Sequence, residues 1–216
     1  AVWGTDPGEL AFLDPPPRAA LAEARSLLLD LGALDHEGRP TATGRSMAAL
    51  PLHPRLARMV VDASGTGRGW TACVLAALLE DRDVLRGRPD DLPTDLAVRA
   101  QLIADPGASH PDADRGARAS ARRRAAELAR RTRTTRGVLD PDDLGAVLAL
   151  AYPDRVAQRR TRGRVRMRGG GGAWIPDTDP LADEPLLVVA ALDGGPGDGR
   201  VRMAAAIDEA DVEAAA

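Results

Sequence analysis

The spacing of apolar residues changes period near residue 162. Before that point it is helical. Leu21, Ala24, Leu28 and Leu31 form one stripe over residues 18–32, and Gly32 is a natural stop. Met47 and Leu50 mark a short helix, opened by Thr41 or Thr43 and ended by Pro51, which has no amide hydrogen to donate. Pro54 opens the next helix, over 54–64, where Leu56, Met59 and Val60 share a face. After the break at 65–69, Trp70, Cys73, Val74, Ala77 and Leu78 give a full stripe, and Leu96, Val98, Leu102 and Ile103 give another that ends near Pro106. Residues 112–137 can form one long helix, and Asp142 begins a last one through Val147, Leu148 and Leu150. Residues 154–160 read as a brief helical continuation after Pro153.

Beyond Arg162 the pattern alternates. Val165 and Met167 interleave with Arg164, Arg166 and Arg168, the glycines at 169–172 make a turn, and 173–175 can return as a partner strand. Residues 186–192 are continuously apolar, and 201–207 complete a second hairpin across a glycine-rich loop. Four strands predict a small antiparallel sheet or the start of an open barrel. At the other end, Gly4, Pro7, Gly8 and the prolines at 15–17 deny regular structure to the first residues. Trp3, Leu10, Phe12 and Leu13 suit that segment to lie along a neighbouring surface.

Composition narrows the setting. A chain of 216 residues makes one large or two to three small domains, and a compact fold of this size buries about 70% of its unfolded surface. With five aromatic residues the core must come from Leu, Val and Ala. Cys73 is the single cysteine, which excludes an internal disulfide and fits a reducing compartment. No stretch approaches the roughly 20 apolar residues that cross a bilayer, so the expectation is a soluble, cytoplasmic protein with no membrane partner. The net charge of −3 hides a segregation: residues 115–168 hold sixteen of the 29 arginines against five acids, and residues 169–216 hold ten acids against Arg200 and Arg202. Such a block points to one polyanion-facing side.

Residues 13–59 read Leu-Asp-Pro-Pro-Pro, then a helix ending Leu-Leu-Leu-Asp-Leu-Gly-Ala-Leu-Asp, then Gly-Arg-Pro-Thr-Ala-Thr-Gly-Arg-Ser-Met-Ala-Ala-Leu-Pro-Leu-His-Pro-Arg-Leu-Ala-Arg-Met. This order resembles the segment that follows the two motor domains in DEAH-box ATP-dependent RNA helicases. The Ala-Tyr-Pro-Asp-Arg-Val-Ala-Gln-Arg-Arg of 151–160 resembles the bacterial HrpB type. The resemblance implies a mainly α fold: a connector over 1–13, a winged helix over 14–54, a ratchet-like helical bundle over 55–160, and a small, incomplete antiparallel β module over 161–216. It implies an accessory region that guides single-stranded RNA or DNA while upstream motor domains hydrolyse ATP. A stand-alone winged-helix DNA-binding regulator and a helical protein-interaction scaffold are the alternatives. The regulator needs a basic recognition helix, where the helix from Thr41 offers only Arg45.

Catalytic chemistry is sparse. A phosphate-gripping P-loop needs a lysine, and the sequence has none. ATP and magnesium are accordingly expected in the motor domains alone, and no cofactor, catalytic or metal site is expected in this chain. The glycines at 169–172 read as a hairpin turn. His36, His53, His110 and Cys73 have no metal-ligand spacing. Cys73 reads as a small buried hydrophobe, His53 as a corner residue bonded to backbone, and Asp140, Asp142 and Asp143 as a helix cap.

The arginines carry the functional content. On a helix over 112–137, Arg115, Arg118, Arg122, Arg133 and Arg136 fall within about 60° of one another at 100° per residue, opposite alanines and Leu128. Glu127 alone cannot neutralise them. Either the acids near Glu80, Asp81, Asp83, Asp90, Asp91 and Asp95 or those of the tail pair with this face, or it borders a nucleic-acid path, or it meets a protein partner. Arg164, Arg166 and Arg168 form a second candidate set on one strand face. With no aromatic side chains expected nearby for stacking, they point to phosphate rather than base contact.

Overall fold

The computed structural model describes residues 13, 14, 16–194 and 197–214. The expectations for Trp3, Leu10 and Phe12 lie outside the described residues. Among the described residues seven α-helices precede the strands: α1 (Arg18–Asp30), α2 (Ala42–Ala48), α3 (Pro54–Ala63), α4 (Gly69–Glu80), α5 (Leu96–Ala104), α6 (Arg115–Arg131) and α7 (Asp143–Ala151). Their starts follow local chemistry. The Thr41 hydroxyl accepts from the Gly44 amide at 2.9 Å and donates to the Gly32 carbonyl at 2.6 Å, capping α2 and tying it to the end of α1. Pro54 sits in the first turn of α3, and the His53 ring accepts from the Arg55 amide at 3.3 Å, the corner role expected of it. Asp95 caps α5 through the Ala97 amide at 2.8 Å.

Helix α4 is the centre of the bundle. Every residue from Gly69 to Leu78 is buried, because α3, α5, α6 and α7 all pack on it. Cys73 is fully buried there, and burial pushes its thiol up to about 11, so it behaves as a small hydrophobe. The loop after α4 is fixed by Arg99, 1% exposed, whose guanidinium grips Asp83 at 2.8–3.0 Å and donates to the Pro93 carbonyl at 2.5 Å.

The expected mainly α fold, with a winged helix and a small antiparallel module, is corrected by the strands. Among the described residues there are five: β1 (Val156–Thr161), β2 (Arg164–Met167), β3 (Gly172–Trp174), β4 (Leu186–Leu192) and β5 (Gly199–Ala206). They close into a barrel in the order β1-β2-β3-β5-β4. The β3–β5 pair is parallel and the others are antiparallel. The stretch expected to continue as helix is β1. Tyr152 leaves helical angles, a 3-10 turn over Pro153–Arg155 redirects the chain, and Val156 to Gln158 then pair with β4 while Ala157 to Thr161 pair with β2. Nor do the described residues of 14–54 form a β wing. The strand character there is one bridge between Leu34 and Pro40, and Met47 and Leu50 enter the same apolar core as α3 and α4. The molecule is α+β, five strands closing on themselves beside a helical layer.

A second core fills the barrel: Ala157, Val165, Ala173, Leu187, Val189, Val201 and Ala204 point inward, and Leu181 and Ala182 of a 3-10 turn plug one end. The main core reaches the barrel through Val188, Ala190, Ala205 and Ile207. Helix α7 lies so close to β5 that a Cβ on Gly145 would stand 2.0 Å from the Ala206 carbonyl oxygen. A terminal helix, α8 (Glu209–Ala214), turns back toward α7, and Arg68 bridges the two by pairing with Asp143 at 2.7 Å and Asp211 at 3.0 Å. Asp143 thus serves an ion pair, whereas Asp140 supplies the turn bond, to the Asp142 amide at 3.1 Å.

Candidate nucleic-acid interface

The expected arginine helix is shorter than its sequence allows. It begins at Asp114, whose carboxylate accepts from the Gly116 and Ala117 amides at 2.8 and 3.0 Å, and it ends at Arg131. The Thr132 hydroxyl bonds back to the Leu128 carbonyl at 2.9 Å, the Thr134 amide takes the Ala129 carbonyl, and Arg133 adopts a left-handed φ of 56°. Arg133 and Arg136 therefore leave the face shared by Arg115, Arg118 and Arg122. Arg136 instead lies over the Trp70 ring at 5.6 Å.

What takes up the α6 charge is chiefly backbone. Arg118 donates to the carbonyls of Leu102 at 2.6 Å, Asp105 at 2.8 Å and Pro106 at 3.2 Å, and Arg122 to those of Ile103 at 2.9 Å and Asp105 at 2.5 Å. The Leu102 and Ile103 carbonyls are left open at the end of α5, and those of Asp105 and Pro106 follow it, so two arginines close a neighbouring helix. Burial, then the nearby Arg118, lowers the Arg122 guanidinium below its ordinary value. Arg124 reaches the Pro51 carbonyl at 3.2 Å, and Arg130 and Arg131 both pair with Glu127. Of the acids named as possible partners, Asp83 is engaged with Arg99, and Asp90 with Arg200 and Arg202. Arg115, Arg123 and Arg133 remain exposed with no side-chain partner among the described residues.

The second set stands differently. On β2, Val165 faces the barrel interior while Arg164 and Arg166 point outward, and Arg168 is exposed in the turn that follows. Arg166, Arg168 and Arg160 of β1 carry no side-chain hydrogen bond or ion pair among the described residues. Arg164, 59% exposed, has only a 3.9 Å contact to Asp198.

Strand register adds what the alternation alone did not show. Arg164 pairs with Trp174 on β3, and Trp174 with Arg200 on β5; cross-strand partners share a face. An aromatic ring thus stands between two arginines on the outer wall, contrary to the expectation that stacking residues are absent. Arg200 lies over the indole at 5.4 Å. The signal was present: once 164–168 and 173–175 are read as a hairpin, counting back across its turn sets Trp174 opposite Arg164.

Five strands in this order, closed with β3 beside β5, form the OB arrangement. Its β2–β3 face and the loops joining β1 to β2 and β4 to β5 are the surfaces on which such barrels hold oligonucleotides and oligosaccharides. Here that face carries Arg164, Arg166 and Trp174. The first loop carries Arg162, bonded to the Asp177 carbonyl at 3.1 Å and paired with Asp183 at 3.0 Å. Among the described residues no His, Cys, Asp and Glu group is arranged to hold a metal ion, and no helix is long and apolar enough to cross a membrane.

Comparison with known proteins agrees with the resemblance in the sequence. No protein-family model matches the chain. The ATP-dependent RNA helicase HrpB of Escherichia coli (strain K12) is 32% identical over 210 residues, which cover 95% of this chain and 23% of that protein. A crystal structure of the E. coli DExH-box NTPase HrpB superposes with a TM-score of 0.78 at 31% identity, over 97% of this chain and 24% of that one. A second, of the Escherichia coli DEAH/RHA helicase HrpB, gives 0.77 at 31% identity over 96% and 24%. The chain is therefore a homologue of one region, about a quarter of the length, of HrpB-type helicases.

Proposed function

We propose that this chain is an accessory nucleic-acid-binding region of an HrpB-type ATP-dependent RNA helicase, and that the outer β2–β3 wall of its barrel holds the phosphate backbone of a single strand. The observation that carries the reading is that Arg166 and Arg168 have no side-chain partner among the described residues, with Arg164 only loosely held, on the face that OB barrels use for oligonucleotides. Arginine is always charged and forks onto phosphate, and a row of unneutralised arginines gains by releasing the counterions of a polyanion. The α6 arginines play the smaller part. Arg115, with Arg133 and Arg136 beyond the helix end, is left to contact the strand, whereas Arg118 and Arg122 brace α5. ATP and magnesium belong to motor domains of the intact protein, and its location is the cytoplasm.

Fluorescence anisotropy with labelled single-stranded RNA, single-stranded DNA and duplex DNA, titrated across salt, tests this. Single strands are expected to bind with a steep salt dependence. Replacing Arg164, Arg166 and Arg168 by Ala is expected to flatten the slope by roughly 0.7 for each phosphate no longer held. An unchanged slope in the triple variant, or no binding at low salt, overturns the reading.

A further inference from the structure

The barrel wall holds one feature that phosphate contact leaves unexplained. Trp174 is half-buried in the middle of an otherwise polar row, Thr161, Arg164, Trp174 and Arg200, running across four strands. Its neighbour on the same face of β3 is Gly172, so its own strand places no side chain beside it. That space is taken by the Asp198 carboxylate, which a Cβ on Gly172 would meet at 2.2 Å. On the other side Arg200, 14% exposed, lies 5.4 Å from the ring centre. Its Nη1 pairs with the Asp90 carboxylate, its Nη2 donates to the Asp90 carbonyl at 3.0 Å, and its Nε is buried without a partner. Arg202 donates to the same Asp90 carboxylate at 2.8 Å and forks onto Asp193 at 2.7 and 2.9 Å. The loop between α4 and α5 thereby fixes the guanidinium that lies over the indole.

We infer that Trp174 is a stacking platform for one unpaired base of the bound strand, and that Asp90 positions Arg200 behind it. This rests on the proposed strand-binding role of the same wall. An indole backed by a cation and flanked by arginines suits a nucleotide unit: the base lies on the ring while its phosphate reaches Arg164 or Arg166. Stacking of this kind tolerates any base, since every base has a π-face. The Asp198 carboxylate stands beside the platform, and its hold on Arg164 is what the incoming phosphate displaces.

The test uses the whole chain with a fluorescent oligo-uridine and the same strand carrying abasic positions. Binding of oligo-uridine is expected to quench indole emission. Trp174→Leu, which keeps apolar bulk without the aromatic face, is expected to weaken binding roughly five- to hundredfold with the salt slope unchanged, and Trp174→Phe to restore most of the affinity. The abasic strand should bind the wild type more weakly and discriminate little between wild type and Trp174→Leu. Asp90→Asn should reduce the quench, which a merely structural role for Asp90 would leave in place. If Trp174→Leu binds oligo-uridine as tightly as the wild type while Arg164→Ala with Arg166→Ala binds weakly, the wall holds a strand and the stacking platform is wrong. If the wild type binds neither strand, both readings fall together.

Discussion

Two arginine-rich surfaces of one protein meet opposite ends. On α6, Arg118 and Arg122 turn inward along the helix and close the open carbonyls of α5, so their charge is bound up in the fold. On β2, Arg164 and Arg166 project from a pleated wall whose inner face is already filled by Val165, and neither donates to a carbonyl among the described residues. Residue type and charge density are alike in the two places; what differs is the supply of acceptors. A helix packed beside another helix's C-terminus sits next to unsatisfied carbonyls, whereas the carbonyls of a closed barrel are consumed by its own ladders. A run of arginines is thus a binding surface only where the backbone around it is already satisfied.

The largest test of this contrast removes both inward arginines. Arg118→Ala with Arg122→Ala should cost about 1–2 kcal/mol for each side chain, measured by urea unfolding, because charged donors leave carbonyls at a partly exposed helix end. The same variant should leave the salt dependence of strand binding unchanged. Next, Gly145→Ala should cost about 1–3 kcal/mol by forcing α7 away from β5, and it tests whether the two surfaces belong to one cooperative unit. A second unfolding transition would show that they separate. Smaller still, Arg164→Ala with Arg166→Ala should change stability by less than about 0.5 kcal/mol, yet flatten the salt slope of binding. If instead it destabilises the chain as much as the α6 pair does, the contrast fails.

The last effect is one of pH. The side-chain hydrogen bond from Arg86, then the Ala117 and Gly116 amides, hold the Asp114 carboxyl at about 2, below its ordinary 3.8. In that interval the unfolded chain binds more protons than the folded one, so stability rises with pH. The contribution is complete above about pH 4 and is lost as pH falls through about 2. Urea midpoints should therefore fall less steeply with acid in Asp114→Asn than in the wild type.

Much of the helical layer was legible. Helices α3, α4, α5 and α7 follow uninterrupted apolar stripes, with proline or aspartate at the starts of α3, α5 and α7, and such signals are local. Strand β1 was not: only Ala157 of its six residues is fully buried, so no two-residue alternation announces it, and it exists because β2 and β4 flank it. Closure of the barrel was hidden for a similar reason, since the β3–β5 junction rests on the short register of Ala173 with Gly199 and Trp174 with Arg200. At the candidate site, the outward direction of Arg164 and Arg166 followed from alternation. The partners of Arg118 and Arg122 could not be read, because their acceptors are main-chain carbonyls that every residue carries.

The crossing of α7 over β5 has a mechanical side. With no room for even a methyl group at Gly145, α7 and β5 lie in close backbone contact, and close-packed interiors pass strain on rather than absorb it. A pull on the barrel wall would therefore be delivered to α7, and through it to α3 and α4, with little slack along the way. In that sense the barrel is less a tether than the rigid arm of a lever whose fulcrum is a glycine.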